Sequence, residues 1–194
     1  MTKLSLLPEG RRAAPRPDEA ARYAAYPVQQ LMRSRRHAFQ LAFAHEAMAL
    51  LGEPAGDLVY EPSYRGLRVL GLNEASLHGP AAAVRARYGP AVEIEAPRVR
   101  YQFGPVVAEP VLSVVVRGPR QFALRVRDDL IRRGAETVTV TYNPAGFIAR
   151  AQVAQAELLG YPGWLDDLTG GRGKLLAWLS HYAPLDPGPG PEAA

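Results

Sequence analysis

The sequence predicts an α+β protein made of two tandem ferredoxin-like domains, each with the order βαββαβ. Three observations lead to this prediction. β-branched runs alternate with helical periodicities, glycine and proline mark the boundaries, and the same order of elements occurs twice. The 194 residues, 47% of them hydrophobic, suffice for two small cores. We divide the chain into a flexible N-terminal arm at 1–22, a first domain at 23–103, a second domain at 104–185 and a disordered tail at 186–194.

The first helix of the first domain is predicted to run from an N-cap at Ser34 to Leu51, where Gly52 ends it. Apolar residues recur within it at steps of three and four and are expected to form one buried stripe. The members of this stripe are Phe39, Phe43, Ala47 and Leu50. An edge strand at 24–30 is expected to precede the helix.

The rest of the first domain is predicted to contain a second helix and four strand-like segments. Asn73 is a good N-cap for the helix, but Pro80 interrupts its first turns, so the start stays open between these two residues. The strand-like segments are 57–61, 67–70, 91–95 and 98–103.

The second domain repeats the plan with clearer signals. Pro119 is placed to open a helix that Gly134 ends, and a further helix is predicted at 156–168. Pro162 and Gly163 are expected to break that further helix into two pieces. The predicted strands are 110–117, 136–142, 147–153 and 174–181.

The composition excludes several classes of function. The absence of cysteine excludes disulfides, cysteine-based zinc sites and a thiol nucleophile. No apolar run approaches the roughly 18–20 residues that span a bilayer, and the N-terminus lacks a signal-peptide core, so we expect a cytoplasmic protein without membrane contact. The net charge of +4 is carried almost entirely by arginine, which is typical of a GC-rich genome and permits an RNA partner without requiring one.

No group of side chains in the sequence has the spacing of a catalytic or metal site. Two of the four histidines share a predicted helix, but their spacing of eight positions is too long for a metal-binding pair at i and i+4. The adjacent pairs Asp128-Asp129 and Asp166-Asp167 point about 100° apart on a helix and are interpreted as solvated helix faces. We therefore predict no enzyme activity, no catalytic residue, no metal and no cofactor.

The glycine-rich segment Gly170-Gly171-Arg172-Gly173 invites comparison with a phosphate-binding loop. It follows a helix and precedes a strand, which is the reverse of the order that a phosphate loop needs. The sequence Gly-x-x-x-x-Gly-Lys-Ser/Thr is also absent, so we expect no nucleotide ligand. Two compatible interpretations stay open: a glycine cap with a tight turn, or an RNA contact in which Arg172 and Lys174 flank the turn.

Several motifs of the second domain resemble domain V of elongation factor G, and they occur in the same order. The resemblance covers residues 104–184. Its sharpest parts are 104–112, Leu130-Ile131-Arg132-Arg133-Gly134, Leu158-Leu159-Gly160-Tyr161, 170–173 and Ser180-His181-Tyr182. Several motifs in order make a chance match improbable, so the resemblance implies a ferredoxin-like fold for this half.

The first domain is similar to domain III of the same family, although less closely. Residues 71–78 stand where the family has a Gly-Met-Gly-Glu-Leu-His-Leu run, with Asn73 in place of the second glycine. Residues 85–101 match the last helix and strands of domain III better. The family's GTPase domain, domain II and domain IV have no counterpart in this sequence.

The resemblance implies a non-catalytic protein that acts in translation. In the family, domain V lies against large-subunit RNA at the factor-binding centre, so the leading hypothesis is binding to the ribosome, its RNA or a translation factor. The residues carried over as candidates for binding ribosomal RNA are Arg120, Arg132, Arg133, Arg172 and Lys174. The residues themselves also allow another interpretation, in which these arginines form a solvated face with local salt bridges.

Three other hypotheses stay open. Ferredoxin-like domains expose a sheet edge, so the chain is also compatible with an interaction module outside translation that binds a protein partner or forms a homodimer through that edge. A small enzyme on the same scaffold is another hypothesis, because this fold hosts many unrelated functions. The drifted glycine pattern around Asn73 is also compatible with a relative under relaxed constraint.

Overall fold

The computed structural model describes residues 23–185. The arm predicted at 1–22 and the tail predicted at 186–194 lie outside the described residues. The described part forms two antiparallel sheets, each packed against its own helices. We refer to each sheet with its helices as the N-terminal unit and the C-terminal unit.

The N-terminal unit contains a five-stranded sheet in the order β2-β3-β1-β4, with β5 also paired to β1. All of its strand pairs are antiparallel. Its elements are β1 (Val28–Ser34), α1 (Gln40–Leu51), β2 (Leu58–Ser63), β3 (Gly66–Gly71), α2 (Glu74–Tyr88), β4 (Val92–Ile94) and β5 (Arg98–Val99).

The C-terminal unit contains a five-stranded sheet in the order β10-β7-β9-β8, with β6 also paired to β7. A short 3-10 turn at Arg120–Phe122 leads into its first helix. Its elements are β6 (Gln102–Phe103), β7 (Val107–Gly118), α3 (Ala123–Arg132), β8 (Glu136–Asn143), β9 (Gly146–Ala154), α4 (Gln155–Leu158), α5 (Tyr161–Thr169) and β10 (Lys174–Pro184).

The two sheets share one topology. In each, the first and third strands of the βαββαβ unit are central, and the second and fourth lie at the sides. This is the ferredoxin-like arrangement, and it confirms the predicted fold class. Each unit also has its own cluster of buried apolar side chains, centred on Phe43 in the N-terminal unit and on Phe147 in the C-terminal unit.

The first strand and first helix differ from their predicted positions. β1 begins at Val28 and pairs on both sides, with β3 and with β4, so the prediction of an edge strand at 24–30 was wrong. Ser34 ends this strand instead of capping α1, and its Oγ accepts hydrogen bonds from the backbone N–H groups of Arg36 and His37. Ser34 therefore closes a turn, and the helix begins only at Gln40.

The buried face of α1 is consequently narrower than predicted. Phe43, Ala44 and Ala47 are buried, but Phe39 is 80% exposed. Leu50, also predicted to be buried, is exposed. A helix that starts six residues later places Phe39 outside its first turn, where the core cannot cover the ring.

Two prolines that were expected to interrupt helices lie inside them. Asn73 caps α2, since its Oδ1 accepts the backbone N–H of Ser76 at 3.2 Å, and Pro80 lies buried within that helix. The break between α4 and α5 falls at Gly160, whose φ of 75° is left-handed, and not at the predicted Pro162-Gly163. Pro162 occupies the first turn of α5, where its missing N–H is not needed.

The strand predicted at 98–103 is divided between the two sheets. β5 pairs with β1, whereas β6 pairs with β7 of the C-terminal unit. The crossing from one unit to the other therefore takes place at residues 100–101.

The two units contact each other through specific side chains. Leu159 packs against the core of the N-terminal unit, and Glu74 Oε2 accepts the backbone N–H of Gly160 at 2.8 Å. The Tyr182 hydroxyl donates to the carbonyl of Ala24 at 2.9 Å. The C-terminal unit makes these contacts from two separate segments, Leu159-Gly160 and Tyr182, so they fix the orientation of one unit against the other.

Candidate nucleic-acid interface

The five basic residues predicted to bind RNA separate into two groups at opposite ends of α3. Arg120 precedes the helix, whereas Arg132 is its last residue and Arg133 caps its C-terminus. A helix of 10 residues is about 15 Å long. Arg172 and Lys174 lie at the same end of the helix as Arg120. We call this end of the unit the basic end and define it by Arg117, Arg120, Arg172 and Lys174.

Backbone pairing holds the strands of the basic end together. Lys174 at the start of β10 is the register partner of Arg117 near the end of β7. Register partners in antiparallel strands have side chains on the same face, about 5 Å apart. A Cβ on Gly118 would lie 3.8 Å from the Cα of Gly173, so the loops that follow and precede these two strands are in contact. Arg117 therefore joins the predicted candidates.

Aromatic rings orient the two arginines of the basic end. The Arg120 guanidinium lies 4.8 Å from the centroid of the Tyr142 ring, and that of Arg172 lies 5.6 Å from the centroid of Phe122. Cation–π contacts of this kind contribute about 0.5–1 kcal/mol at exposed sites. Arg172 Nε also donates to the carbonyl of Thr169 at 3.1 Å, which leaves both Nη groups without a hydrogen bond to any described residue.

The glycine-rich turn is a helix cap, which confirms one of its two interpretations. Gly170 and Gly171 both have φ in the left-handed region, at 60° and 74°, and the N–H of Gly171 bonds back to the carbonyl of Asp166 at 3.0 Å. The Thr169 hydroxyl accepts the N–H of Gly173 at 2.7 Å. The turn therefore presents Arg172 and Lys174 from a well-ordered backbone, and its use as an RNA contact stays a prediction.

The electrostatics of the basic end favour an anion. None of its four cations forms an ion pair with a carboxylate in residues 23–185. The N-terminus of α3 points to the same end and adds a partial positive charge. Four unpaired cations on one surface are suited to phosphate oxygens.

Arg132 and Arg133, in contrast, are bound to a buried carboxylate. The side chain of Asp129 is only 3% exposed, and it contacts Arg132 at 3.1 Å and Arg133 at 2.7 Å. Arg133 also donates to the carbonyl of Glu157 and lies over the Tyr161 ring. Arg133 thus joins α3 to α4 and α5, while the exposed Arg132 keeps donors that face solvent.

The pair Asp128-Asp129 was interpreted as a solvated helix face, and for Asp129 that interpretation was wrong. Asp129 is buried because its carboxylate faces the two arginines that follow at i+3 and i+4. Asp128 is exposed and pairs only with its neighbour Arg127. Adjacent aspartates therefore have different environments, as their angular separation on the helix requires.

Tyr161 completes the buried cluster around Asp129. Its side chain is fully buried, and its hydroxyl makes no hydrogen bond to any described residue. Burial, with the Asp129 charge as a smaller contribution, raises the pKa of Tyr161 well above its ordinary value. The neutral phenol is therefore the form that the folded protein stabilises.

A cleft of about 420 Å³ lies between the two units and differs in chemistry from the basic end. Its walls are mainly apolar, and Leu158, Leu176 and Trp178 contribute to them. Asn73 and Glu74 stand on the N-terminal side. An apolar cleft with a carboxylate in its wall does not suit a phosphate backbone, so we leave it out of the candidate interface.

The histidines and carboxylates of residues 23–185 do not form a metal cluster. No three His, Asp or Glu side chains within 23–185 are grouped as metal ligands would be. His37 pairs with Glu46 at 3.2 Å and with the hydroxyl of Ser34, which are structural contacts. Within the same range, no helix is both long enough and apolar enough to cross a bilayer.

Comparison with known proteins shows what the C-terminal unit is similar to. The model of the elongation factor G C-terminus matches residues 106–191. Residues 106–191 are thus similar to the elongation factor G C-terminus. Elongation factor G 1 of a Synechocystis species is 35% identical over 80 residues, which are 41% of this chain and 12% of that protein. Elongation factor G 2 of Saccharophagus degradans is 35% identical over 81 residues, or 42% and 12%.

The similarity in sequence to elongation factor G covers the C-terminal unit. The chain spans about an eighth of the curated relatives it matches. A crystal structure of a protein from Thermus thermophilus resembles 84% of this chain with a TM-score of 0.61 and 18% identity, and the match covers 41% of that protein. That likeness extends the shared fold to the N-terminal unit, whose relationship to domain III stays a prediction.

Proposed function

We propose that this chain binds ribosomal RNA at the region of the large subunit where translation factors dock, and that it does so without hydrolysing nucleotide. The observation that supports this proposal most directly is the basic end: Arg117, Arg120, Arg172 and Lys174 meet at one end of an elongation factor G C-terminal domain. Phosphate groups of folded RNA are the ligands that such a cluster suits.

The geometry of the basic end affects its affinity for RNA. Arg120 and Arg172 are held against aromatic rings, so less side-chain entropy is lost when their guanidinium groups meet phosphates. Each neutralised phosphate releases condensed counterions, so binding should weaken steeply with salt. The absence of a phosphate-loop sequence in the chain is the reason for proposing a binding protein and not a GTPase. In this proposal the protein acts in the cytoplasm, with ribosomes.

The alternative, a partner bound through a sheet edge, is less well supported by the side strands. β8 is a side strand of the C-terminal sheet, and its pairing with β9 shifts register between Glu136 and Thr139. Thr137 there has a φ of 50°, which interrupts regular strand geometry. A bulge of this kind blunts an edge against further strand pairing.

Salt-dependent co-sedimentation with bacterial large ribosomal subunits tests the proposal. The triple variant Arg120→Ala, Arg172→Ala and Lys174→Ala should lose most binding at low salt. Its slope of log affinity against log salt should also fall by about 2 to 3, because three phosphate contacts are lost. Wild-type protein that does not sediment with subunits at low salt would contradict the proposal.

A matched triple variant controls for net charge alone. It removes three exposed arginines of the N-terminal unit, namely Arg85, Arg87 and Arg98. Equal losses of binding in the two triple variants would mean that total charge, and not the basic end, determines ribosome affinity. The single variant Arg132→Ala then tests the second predicted group, and we expect a smaller loss because this residue is already paired with Asp129.

A further inference from the structure

A second surface, on the N-terminal unit, combines exposed aromatic rings with arginines. Phe39 is 80% exposed and Tyr64 is 87% exposed, although residues of this size are normally covered in a folded protein. Arg35, Arg36 and Arg65 lie next to them in the sequence and are also exposed. We call these five residues the aromatic–arginine surface.

Two adjoining grooves place four of these residues in one region of the surface, and Arg36 follows Arg35 in the sequence. Phe39 and Tyr64 line a groove of about 460 Å³ at the start of α1. Tyr64 also lines a second groove, of about 510 Å³, together with Arg35, Arg65 and the pair Arg33–Glu93, so arginines outnumber the single carboxylate there. The Tyr64 ring thus stands between an apolar groove and a basic one.

The backbone that presents the surface is ordered by hydrogen bonds. Ser63 Oγ donates to the carbonyl of Gly66 at 2.8 Å and accepts the N–H of Arg65, which closes the turn that carries Tyr64. Gly66 has a φ of 125° and packs against the carbonyl of Met32, so no side chain fits there. The Ser34 hydroxyl orders the neighbouring turn in the same way. The backbone of both turns is therefore ordered in the absence of a partner.

Charge decides what kind of partner fits. Within residues 23–185, Arg35, Arg36 and Arg65 form no ion pair, whereas the nearby Arg33 is paired with Glu93 and Glu95. Three unpaired guanidinium groups around two open rings favour a ligand that is both anionic and aromatic. Unpaired nucleotides have this chemistry, since successive bases stack on aromatic side chains while phosphates meet arginines.

We propose that the aromatic–arginine surface binds single-stranded RNA, with unpaired bases stacked on Phe39 and Tyr64 and the backbone phosphates on Arg35, Arg36 and Arg65. The identity of the partner as RNA rests on the proposed function, but the site is a different one. A duplex keeps its base faces covered by neighbouring base pairs, so it offers nothing for the two rings to stack on. The surface therefore selects a loop or an unpaired end over a helix.

Fluorescence anisotropy with a labelled 12-nucleotide single-stranded RNA and a duplex of the same sequence tests the inference. Phe39→Ala with Tyr64→Ala in the full chain should weaken single-strand binding by at least about tenfold, because stacking on two rings is lost. Duplex binding should change less than about twofold, because it depends on phosphate contacts. Phe103→Ala is the matched control, since Phe103 is 82% exposed on the other unit. The melting temperature should be the same in all of these variants.

Three outcomes would overturn the inference. The first is single-strand affinity in the double variant equal to that of Phe103→Ala. The second is an equal loss for single strand and duplex, which would indicate a surface that reads charge alone. The third is a wild-type dimer that the double variant dissociates with RNA affinity unchanged, which would assign the rings to a protein contact.

The same experiments separate this inference from the proposed function. The triple variant of the basic end should lose binding to ribosomal subunits but keep its preference for single-stranded over duplex RNA. Loss of single-strand binding in the double variant without any ribosome binding by the wild type would refute the proposed function alone. Ribosome binding that depends on the basic end, with single-strand binding unaffected in the double variant, would refute only the present inference.

Discussion

Replacing Asp129 with asparagine should destabilise the C-terminal unit far more than the same change at Asp128. The two residues are adjacent and chemically identical, yet the Asp129 side chain is 3% exposed and that of Asp128 is 58% exposed. The amide keeps the size of the carboxylate and one acceptor oxygen. The comparison therefore isolates the charge of a buried carboxylate from its shape.

The magnitude follows from the contacts of Asp129. Its bond from Arg133 at 2.7 Å is charge-assisted and mostly buried, since Arg133 is 23% exposed, and such bonds contribute about 1.5–3 kcal/mol. The contact with Arg132 adds at most about 0.5 kcal/mol, because that side chain is 72% exposed and screened by solvent. Asparagine also leaves the Arg133 charge uncompensated. We expect a loss of about 2–3 kcal/mol in the free energy of unfolding.

Thermal and urea unfolding followed by circular dichroism measure this loss. For a protein of this size, about 2–3 kcal/mol lowers the melting temperature by roughly 4–12 °C. Asp128→Asn should stay within about 0.5 kcal/mol of wild type, as expected for an exposed pair. A double-mutant cycle with Arg133→Gln should give a coupling of about 1–2 kcal/mol. Equal stability of the two asparagine variants, or a coupling near zero, would refute the reasoning.

Further changes test other parts of the fold. Tyr161→Phe should change the free energy of unfolding little at pH 7, because the hydroxyl makes no hydrogen bond to the described residues. The folded state holds the pKa of Tyr161 above the unfolded value of 10.0, so wild-type stability should fall as the pH rises above about 10. Phenylalanine should reduce that fall in alkaline unfolding curves. Gly146 has a φ of 141° and no room for a side chain beside the Gly118 carbonyl, so Gly146→Ala should lower the free energy of unfolding by more than about 3 kcal/mol in urea unfolding. Gly163 lies inside α5 with open space around it, and Gly163→Ala should raise the free energy of unfolding by about 0.5–1 kcal/mol. Leu159→Ala should lower stability by about 2 kcal/mol and split one calorimetric transition into two; one sharp transition in the variant would contradict a coupling role for this residue.

The sequence was sufficient for the fold where local signals and tertiary contacts agree. The dense β-branched run at 110–117 was predicted as a strand, and it lies within β7, where Leu112, Val114 and Val116 join the core. Ser34 shows the opposite case. A serine before an apolar periodicity is equally a helix cap or a turn, and only the pairing of β1 with β4 keeps that residue in the strand. Rules that consider only neighbouring residues cannot take account of β4, which is distant in the sequence.

The sequence was enough to predict the residue types of the candidate site, but not which of these residues lie together in the fold. Arg120 and Arg172 are far apart in the sequence, and they meet because α3 follows β7 while β10 pairs with the same strand. Arg133 was grouped with them as a basic residue, but it is engaged by Asp129 and by the ring of Tyr161. The spacing of Asp129 and Arg133 at i and i+4 was a visible signal for their pairing. Nothing local indicated that the pair would be buried.

The interface between the units connects stability with the two proposed RNA contacts. The basic end lies on one unit and the aromatic–arginine surface on the other, so the affinity for an RNA molecule that engages both depends on how firmly the units keep their orientation. Leu159, the bond from Gly160 to Glu74 and the bond from Tyr182 to Ala24 supply that orientation. A fixed pair of sites binds more tightly than two sites on a loose linker, because the second contact forms at high effective concentration. Leu159→Ala should therefore weaken ribosome binding although it removes no charge and no aromatic ring, while single-strand binding, which uses one surface only, should stay unchanged.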